Sequence, residues 1–302
     1  MFTVFARSLY RTFGSQPRRN TSQQPETYKR LALDAADLTF GLRGLGWNFA
    51  ADAKVPAFTT RPLHPYIRLG FFDSWDFLQY FCQCFDWEGL GSPNGGSIYD
   101  MSLTPPLRYL RSTTITFFNG LIIYGSIQIG HDLFALIAVL VLRVSSPADW
   151  PPIFDSPWLA TSLTELWAAR WHQIFRQEFV ALGGWPLGLV AGRVGAVLGV
   201  FSVSGILHFV GLWGMGMADL RVYCFFLMMG VCVVLEGMWK KMTGRRVGGW
   251  PGRIWAWTQI LFWAHLYIEP WCLSGIMASV FVPTAIRPSV TLHRLIVDIL
   301  HG

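Results

Sequence analysis

Four long apolar stretches alternate with polar connections along this chain. They run approximately from Ile115 to Leu142, Leu187 to Gly214, Val222 to Trp239 and Ile254 to Val282. Runs of this length exceed ordinary β-strands, and a membrane-spanning helix needs about 20 mostly apolar residues. In lipid, a helix also satisfies its backbone hydrogen bonds internally. The pattern therefore predicts an all-α fold, that of a polytopic helical membrane protein.

The chain before these stretches differs in character. Residues 31–113 are polar and punctuated by Pro and Gly, which predicts a cytosolic or interfacial region. The first 20 residues contain four arginines, and no acidic residue precedes Glu26. Organellar transit peptides share this composition, but a poorly ordered basic N-terminus is the interpretation we favour. The transmembrane core is then predicted over residues 114–302.

Composition supports an integral, multi-pass membrane protein with the lipid bilayer as a partner. Of 302 residues, 52% are hydrophobic and 14% charged, whereas soluble proteins carry about 25% charged residues. Basic loops that fix membrane topology explain the net charge of +6, so no nucleic-acid partner is predicted. The five cysteines form no CxxC pair and the seven histidines no HxxxH cluster. We therefore predict neither a disulfide framework nor a metal site, and a di-metal oxidase is disfavoured.

A segment between the first two spans, Ser162 to Gln177, has helical periodicity. One face carries aromatic residues at four-residue spacing: Trp167, Trp171 and Phe175. A neighbouring face carries Glu165, Ala169, His172 and Arg176. We predict one amphipathic helix whose aromatic stripe docks while the other face presents His172 beside a guanidinium. A basic interfacial helix with tryptophan anchors is the alternative.

The second span is predicted to have two different faces. Small residues recur at spacings of 4, 3, 4 and 3: Gly188, Gly192, Gly195, Gly199 and Ser202. Such a face allows close helix packing. In an unkinked helix, Arg193, Ser204 and His208 fall on the opposite side, with about 22 Å along the axis between Arg193 and His208.

His208 is the leading candidate for chemistry. An ionisable side chain inside a lipid-spanning stretch costs about 3 kcal/mol on insertion scales, so it indicates a functional site by default. The alternative is a structural histidine satisfied by Ser204, one turn away. We favour catalysis because His172 lies 36 residues earlier in a polar, tryptophan-rich segment.

Two other polar groups interrupt the spans. Gln128, His131 and Asp132 in the first span are expected mainly to join helices. His265 and Glu269, one turn apart before Pro270, either polarise one another, line an acceptor pocket or form a satisfied pair beside a proline kink.

Two motifs carry a family resemblance. Trp167-Ala-Ala-Arg-Trp-His-Gln173 followed by Ser204-Gly-Ile-Leu-His208 resembles the paired signature of the membrane-bound O-acyltransferases, specifically the wax synthase-like branch found in fungi. Arg43-Gly-Leu-Gly-Trp-Asn48 resembles an upstream element of that branch, and the resemblance extends over about Leu31 to Trp271. Members commonly have more spans, so a bundle of this type that lacks some N-terminal helices is an open alternative.

The resemblance implies roles for both histidines. His208 matches the intramembrane catalytic histidine, and His172 occupies the second signature position, which is asparagine in many members. Members transfer an acyl group from acyl-CoA to a hydroxyl, and several fungal ones acetylate terpenoid or meroterpenoid alcohols. We therefore expect acyl-CoA as the co-substrate, acetyl-CoA first among the candidates, and no bound cofactor. The expected acceptor is a lipophilic secondary-metabolite alcohol, and the expected location is the endoplasmic reticulum.

The chemistry suits these residue types. A neutral imidazole can take the proton of an attacking alcohol, which assigns the general base to His208 and orientation or polarisation of the thioester to His172. Guanidinium groups suit the phosphates of coenzyme A, and the candidates are Arg170, Arg176 and Arg193. Substrate contacts are expected from Trp171, Gln173, Ser204 and His265. A long-chain wax or sterol ester synthase and a truncated, inactive membrane scaffold are the alternatives.

Overall fold

The computed structural model describes residues 70–146, 149–278, 287–292 and Ile299. Residues 1–30 and the Arg43–Asn48 element lie outside this part of the chain. Within it the regular structure is helical and no strand occurs, which confirms the all-α prediction. The main helices are α1 Gly70–Gln83, α2 Pro105–Leu136, α3 Leu163–Glu165, α4 Arg176–Phe179, α5 Trp185–Trp213, α6 Leu220–Thr243 and α7 Gly249–Leu273. Turns of π-helix extend three of them: Ile137–Val141 after α2, Leu166–Arg170 after α3 and Val180–Gly184 after α4.

Among the described residues, three helical segments are long and apolar enough to cross a membrane: Pro105–Val141, Arg176–Trp213 and Leu220–Thr243. The protein is therefore a membrane protein, as predicted. The first segment begins at Pro105, ten residues before the predicted span, because a proline at the first helical position has a φ suited to the helix. The predicted fourth span is a helix, α7, but it ends at Leu273 and is not among the three segments.

The predicted second span is wrong as a single straight helix. At Ala191 (φ −123°, ψ 20°) and Gly192 (φ 58°, ψ −144°) the backbone leaves the helical region, and the chain folds back. Residues 176–190 form the first arm and residues 193–213 the second arm of what we name the α5 hairpin. Gly192 permits this turn because its φ lies in the left-handed region, which a residue with a Cβ rarely adopts.

Glycines bring the two arms into backbone contact. A Cβ added at Gly183 would lie 2.1 Å from the carbonyl oxygen of Gly199, and one at Gly195 would lie 2.1 Å from that of Leu187. The predicted small-residue stripe is therefore real, but it joins two arms of one hairpin and does not form one face of a single helix. The first arm, 15 residues at 1.5 Å rise, is about 22 Å long and shorter than a hydrocarbon core of about 30 Å.

The chain forms two compact units. Unit 1 contains residues 152–211 and 226–256, and therefore most of the α5 hairpin, most of α6 and the beginning of α7. Its buried apolar residues include Phe154, Leu163, Leu166, Phe201 and Met229.

The described residues of unit 2 are 70–146, 149–151, 212–225, 257–278, 287–292 and Ile299. Helices α1 and α2 pack together there around an apolar cluster: Trp75, Cys82, Leu90, Ile98, Ile115, Ile122, Ile268, Cys272 and Met277. A buried ion pair accompanies this core, with the Nε of Arg287 2.6 Å from the carboxylate of Asp76.

Candidate active site

His208 lies on the second arm of the α5 hairpin, and its protonation pattern follows from one contact. Its Nδ1 lies 2.8 Å from the carbonyl oxygen of Ser204, one turn earlier. A carbonyl oxygen can only accept, so Nδ1 carries the proton in this bond. In a neutral imidazole the lone pair then belongs to Nε2. The expected pairing of Ser204 with His208 is present, but it uses the serine backbone and not its hydroxyl.

A second contact orients the imidazole. Its ring stacks on Phe226 of α6, with 4.2 Å between ring centroids and 27° between ring planes. Ser204 is buried and His208 is half-buried. Because one nitrogen is bonded and one ring face is covered, the direction of Nε2 is set by the fold.

The predicted amphipathic helix from Ser162 to Gln177 is wrong beyond Arg170. Helix α3 and its π-turn end there, and Trp171 is extended (φ −76°, ψ 157°). His172 and Arg176 therefore do not share a helix face. The start of the helix is as expected, because the Ser162 hydroxyl accepts the backbone N–H of Glu165 at 3.0 Å as an N-cap.

Side chains from the following turn satisfy the end of this helix. The amide of Gln173 donates to the carbonyl oxygens of Trp167 and Trp171 at 3.0 and 2.7 Å. The Nη1 of Arg176 donates to the carbonyl oxygen of Ala168 at 3.2 Å. The last carbonyls of a helix lack helical donors, so these bonds stabilise the break. Substrate contacts of Gln173 and phosphate contacts of Arg176 stay predictions.

Arg170 closes the loop that precedes helix α3. Its Nε donates to the carboxylate of Glu165 at 2.6 Å, and its Nη1 donates to the carbonyl oxygen of Asp155 at 2.9 Å. Partial burial acts to raise the pKa of Glu165, but hydrogen bonds from Thr161 and Arg170 outweigh it and leave that pKa below its ordinary value. Binding of a coenzyme A phosphate by Arg170 stays a prediction. The ion pair weakens it, because the guanidinium already donates to Glu165 and Asp155.

His172 lies directly after the helix break, among aromatic rings. Its ring is 5.9 Å from that of Phe154 in a T-shaped arrangement and 5.7 Å from that of Trp171. Phe154 also packs edge-on against Trp171, at 4.9 Å. The loop closed by Arg170 therefore places Phe154 against both signature residues. A substrate contact of Trp171 stays a prediction.

Aromatic contacts lead from this segment to the second arm. Trp167 packs edge-on against Phe201, with 5.9 Å between centroids, and Phe201 packs against Gly230 of α6. Phe201 precedes His208 by two helical turns. The two histidines thus belong to the same compact unit, and neighbouring residues of both segments contact α6.

Arg193 is the first residue of the second arm and is exposed at the tip of the α5 hairpin. The helix is regular from Arg193 to Trp213, so the 15-residue separation between Arg193 and His208 still corresponds to about 22 Å along the axis. The kink therefore leaves the predicted spacing intact, although the helix before it is redirected.

His265 belongs to unit 2, unlike the other predicted site residues. Its Nδ1 donates to the carbonyl oxygen of Leu261 at 2.7 Å, and its Nε2 lies 3.2 Å from the hydroxyl of Ser112. Glu269 accepts from the backbone N–H of Ile98 at 2.8 Å. Both side chains thus join α7 to other parts of unit 2, and an acceptor-pocket role for His265 stays a prediction.

The polar group in the first span is hydrogen-bonded within its own helix, α2, and its expected role of joining helices stays a prediction. The amide of Gln128 donates to the carboxylate of Asp132 at 2.9 Å, and Nδ1 of His131 lies 3.3 Å from the same oxygen. In the described part of the chain, no three His, Cys, Asp or Glu side chains are grouped closely enough to hold a metal ion.

Sequence reasoning missed Glu236. It lies within α6, is 6% exposed, and its carboxylate accepts hydrogen bonds from the backbone of Leu163 and Thr164. The signal was present, since Glu236 is the acidic residue in an otherwise apolar predicted span, and such residues indicate function.

Comparisons with known proteins agree with these motifs. Residues 150–228 match the membrane bound O-acyl transferase family, and this range contains both histidines. Acetyltransferase spyB from Aspergillus fumigatus is 29% identical over 41% of this chain and 24% of its own length. Acetyltransferase ataH from Aspergillus terreus is 29% identical over 46% of this chain and 52% of its own. A long-chain-alcohol O-fatty-acyltransferase from Simmondsia chinensis is 29% identical over 39% of this chain and 37% of its own. The chain thus matches between about a quarter and a half of the length of these relatives.

Proposed function

We propose that this chain is a membrane bound O-acyl transferase, the family that residues 150–228 match, and that it transfers an acyl group from acyl-CoA to a hydroxyl of a lipophilic alcohol. One observation carries the proposal: the bond from Nδ1 of His208 to the carbonyl oxygen of Ser204. This bond makes Nε2 the proton acceptor of a neutral imidazole in an apolar span, which is what a general base for an alcohol requires.

In the proposed reaction, Nε2 of His208 takes the alcohol proton as the oxygen attacks the thioester carbonyl. The new C–O bond gives a tetrahedral oxyanion. When the carbonyl re-forms, the C–S bond breaks, and the imidazolium returns its proton to the departing sulfur of coenzyme A. A thioester is already activated, so no covalent enzyme intermediate is needed.

His172 is proposed to orient the thioester or to polarise its carbonyl. The contacts that support this are those with Phe154 and Trp171, which restrict the imidazole beside the helix break. A group held in this way can stabilise a developing charge without first having to reorganise.

Arg193 is the guanidinium that we retain for the phosphates of coenzyme A. It is exposed at the hairpin tip, whereas Arg170 and Arg176 donate to loop and helix-end acceptors. The distance of about 22 Å from Arg193 to His208 suits an extended pantetheine arm. We judge the reach of that arm from an extended peptide, which spans about 3.5 Å per residue.

We propose acetyl-CoA as the donor and a terpenoid or meroterpenoid alcohol as the acceptor, at the endoplasmic reticulum. The names of the two Aspergillus relatives, both acetyltransferases, support the acyl group. Long-chain wax or sterol ester synthesis is the second candidate, because a relative of equal identity is named as a long-chain-alcohol O-fatty-acyltransferase.

The test is acyl transfer by microsomes that contain this chain, supplied with acyl-CoAs of several lengths and a mixture of candidate alcohols. Mass spectrometry of the products distinguishes acetyl from fatty acyl esters. We expect His208→Ala to lower the rate by about 10²–10⁴-fold, the usual contribution of a general base. Val210→Ala, an exposed change on the same arm, is the matched control. Full activity of His208→Ala would refute the base assignment, and no ester from the unmodified chain with any donor would favour an inactive scaffold.

A further inference from the structure

Glu236 is a buried carboxylate with four donors and lies outside both signature motifs. One oxygen accepts the backbone N–H of Leu163 at 2.7 Å and the indole N–H of Trp255 at 3.1 Å. The other accepts the backbone N–H of Thr164 at 2.8 Å and its hydroxyl at 2.6 Å. We name these contacts the Glu236 clamp.

The number of donors explains how the carboxylate can be buried. A buried charge is very unfavourable unless its lone pairs are satisfied, and hydrogen bonds to a charged acceptor are about twice as strong as neutral ones. The clamp also satisfies two N–H groups at the start of α3, which have no helical acceptor. It therefore fixes that start relative to α6 and to the beginning of α7.

The clamped end connects to His172 through a short series of contacts. Ser162 caps Glu165, and Glu165 pairs with Arg170, two residues before His172. The same α6 helix contacts the second histidine, because Phe226 stacks on His208 ten residues before Glu236. One helix thus contacts both the imidazole of His208 and the start of the segment that ends at His172.

We propose that Glu236 is a positioning residue for acyl transfer: through α3 and the Glu165–Arg170 pair it sets where His172 lies relative to α6. The proposal builds on the proposed function, since it assigns a role within the same site. Its consequence is specific. Loosening the clamp should impair orientation of the thioester while leaving binding of acyl-CoA phosphates nearly unchanged.

The experiment compares three variants of the full-length chain purified in detergent. Glu236→Ala removes every acceptor, Glu236→Gln keeps one oxygen of similar geometry, and Thr164→Val removes only the hydroxyl donor. Hydrogen exchange, read by mass spectrometry, reports on the amides of Leu163 and Thr164. Loss of a bond to a charged acceptor should speed their exchange about tenfold or more in Glu236→Ala, with a smaller change in Glu236→Gln. Glu269→Gln, a buried carboxylate that caps Ile98 in unit 2, should leave these two amides unchanged.

Two readouts separate positioning from stability. The first is kinetic: kcat should be highest in the unmodified chain, lower in Glu236→Gln and lowest in Glu236→Ala. KM for acyl-CoA should stay constant to about twofold. The second is the rate of carbethoxylation of His172 by diethyl pyrocarbonate, with His208 as an internal reference. We expect faster modification of His172 alone, and this readout needs no acyl transfer.

The outcomes are distinct from those of the proposed function. Unchanged exchange at Leu163 and Thr164 would overturn the clamp, and faster exchange with unchanged kcat and unchanged His172 modification would overturn positioning. If Glu236→Ala fails to fold, Glu236→Gln and Thr164→Val decide by the same readouts. If the unmodified chain makes no ester at all, the proposed function fails, while exchange and His172 modification still decide whether Glu236 positions that residue.

Discussion

The close approach of the two arms in the α5 hairpin gives the sharpest prediction. A Cβ at Gly199 would lie 2.2 Å from the carbonyl oxygen of Gly183, about 1.2 Å short of the 3.4 Å at which ordinary contact begins. The atom met is backbone and not the end of a flexible side chain. Gly199→Ala must therefore push the arms apart by about 1 Å or rotate one of them.

The displacement should affect both stability and reaction. Overpacking typically costs about 1–3 kcal/mol, which should lower the melting temperature of the purified protein. Gly199 precedes Phe201 by two residues and His208 by nine, on the same arm. A misplacement of about 1 Å at a reacting group can cost about 10²-fold in rate, so we expect a fall in acyl transfer of about ten- to a hundredfold.

Gly211→Ala is the matched control for this change. Gly211 is in the same helix, three residues after His208, and an added Cβ meets nothing within 4 Å. Replacing a helical glycine by alanine without a clash stabilises by up to about 1 kcal/mol. The measurements are thermal unfolding in detergent and acyl transfer in microsomes. If Gly199→Ala were as stable and as active as Gly211→Ala, the inferred packing of the hairpin would be refuted.

Three further predictions concern single side chains. Because the pKa of Glu165 is below its ordinary value, the carboxylate stabilises the fold at pH values above that ordinary value, and the stabilisation is lost as the pH falls through the folded-state pKa. Glu165→Gln weakens the bond to Arg170 and should flatten the plot of melting temperature against pH in this range. An unaltered plot would contradict the assignment. Arg193→Gln should raise KM for acyl-CoA about tenfold with little change in kcat, measured by initial rates, and an unchanged KM would remove Arg193 from phosphate binding. Ser112→Ala removes the hydroxyl beside His265 and should lower the free energy of unfolding by about 1 kcal/mol while leaving KM for acyl-CoA unchanged. A large change in KM with a normal melting temperature would instead place His265 in the substrate pocket.

The features that were predictable from sequence depend on neighbours close along the chain. Apolar runs identify the helices of three segments, and the i, i+4 spacing anticipates the contact between Ser204 and His208. The start of a helix at Ser162 also follows from the local periodicity. Each of these depends on residues within one or two turns, which periodicity reports directly.

The features that were missed depend on distant contacts or on a single permissive residue. The regular spacing of small residues is compatible with one straight helix, and only the backbone of Gly192, with φ 58°, shows that the helix reverses. The periodicity of residues 162–177 likewise predicts a longer helix than exists. Tertiary bonds from Gln173 and Arg176 stabilise its end, and helical periodicity carries no information about them.

The two histidines are therefore fixed by different kinds of interaction. The protonation pattern of His208 is set by a carbonyl one turn earlier, so it exists wherever the second arm is helical. The position of His172 requires a loop, a helix end and Phe154 to be in place at the same time. Since long-range contacts are lost before a continuous helix is, partial loosening of unit 1 should misplace His172 while Nε2 of His208 keeps its lone pair. The proposed base is thus the robust element of the site, and orientation of the thioester is the sensitive one.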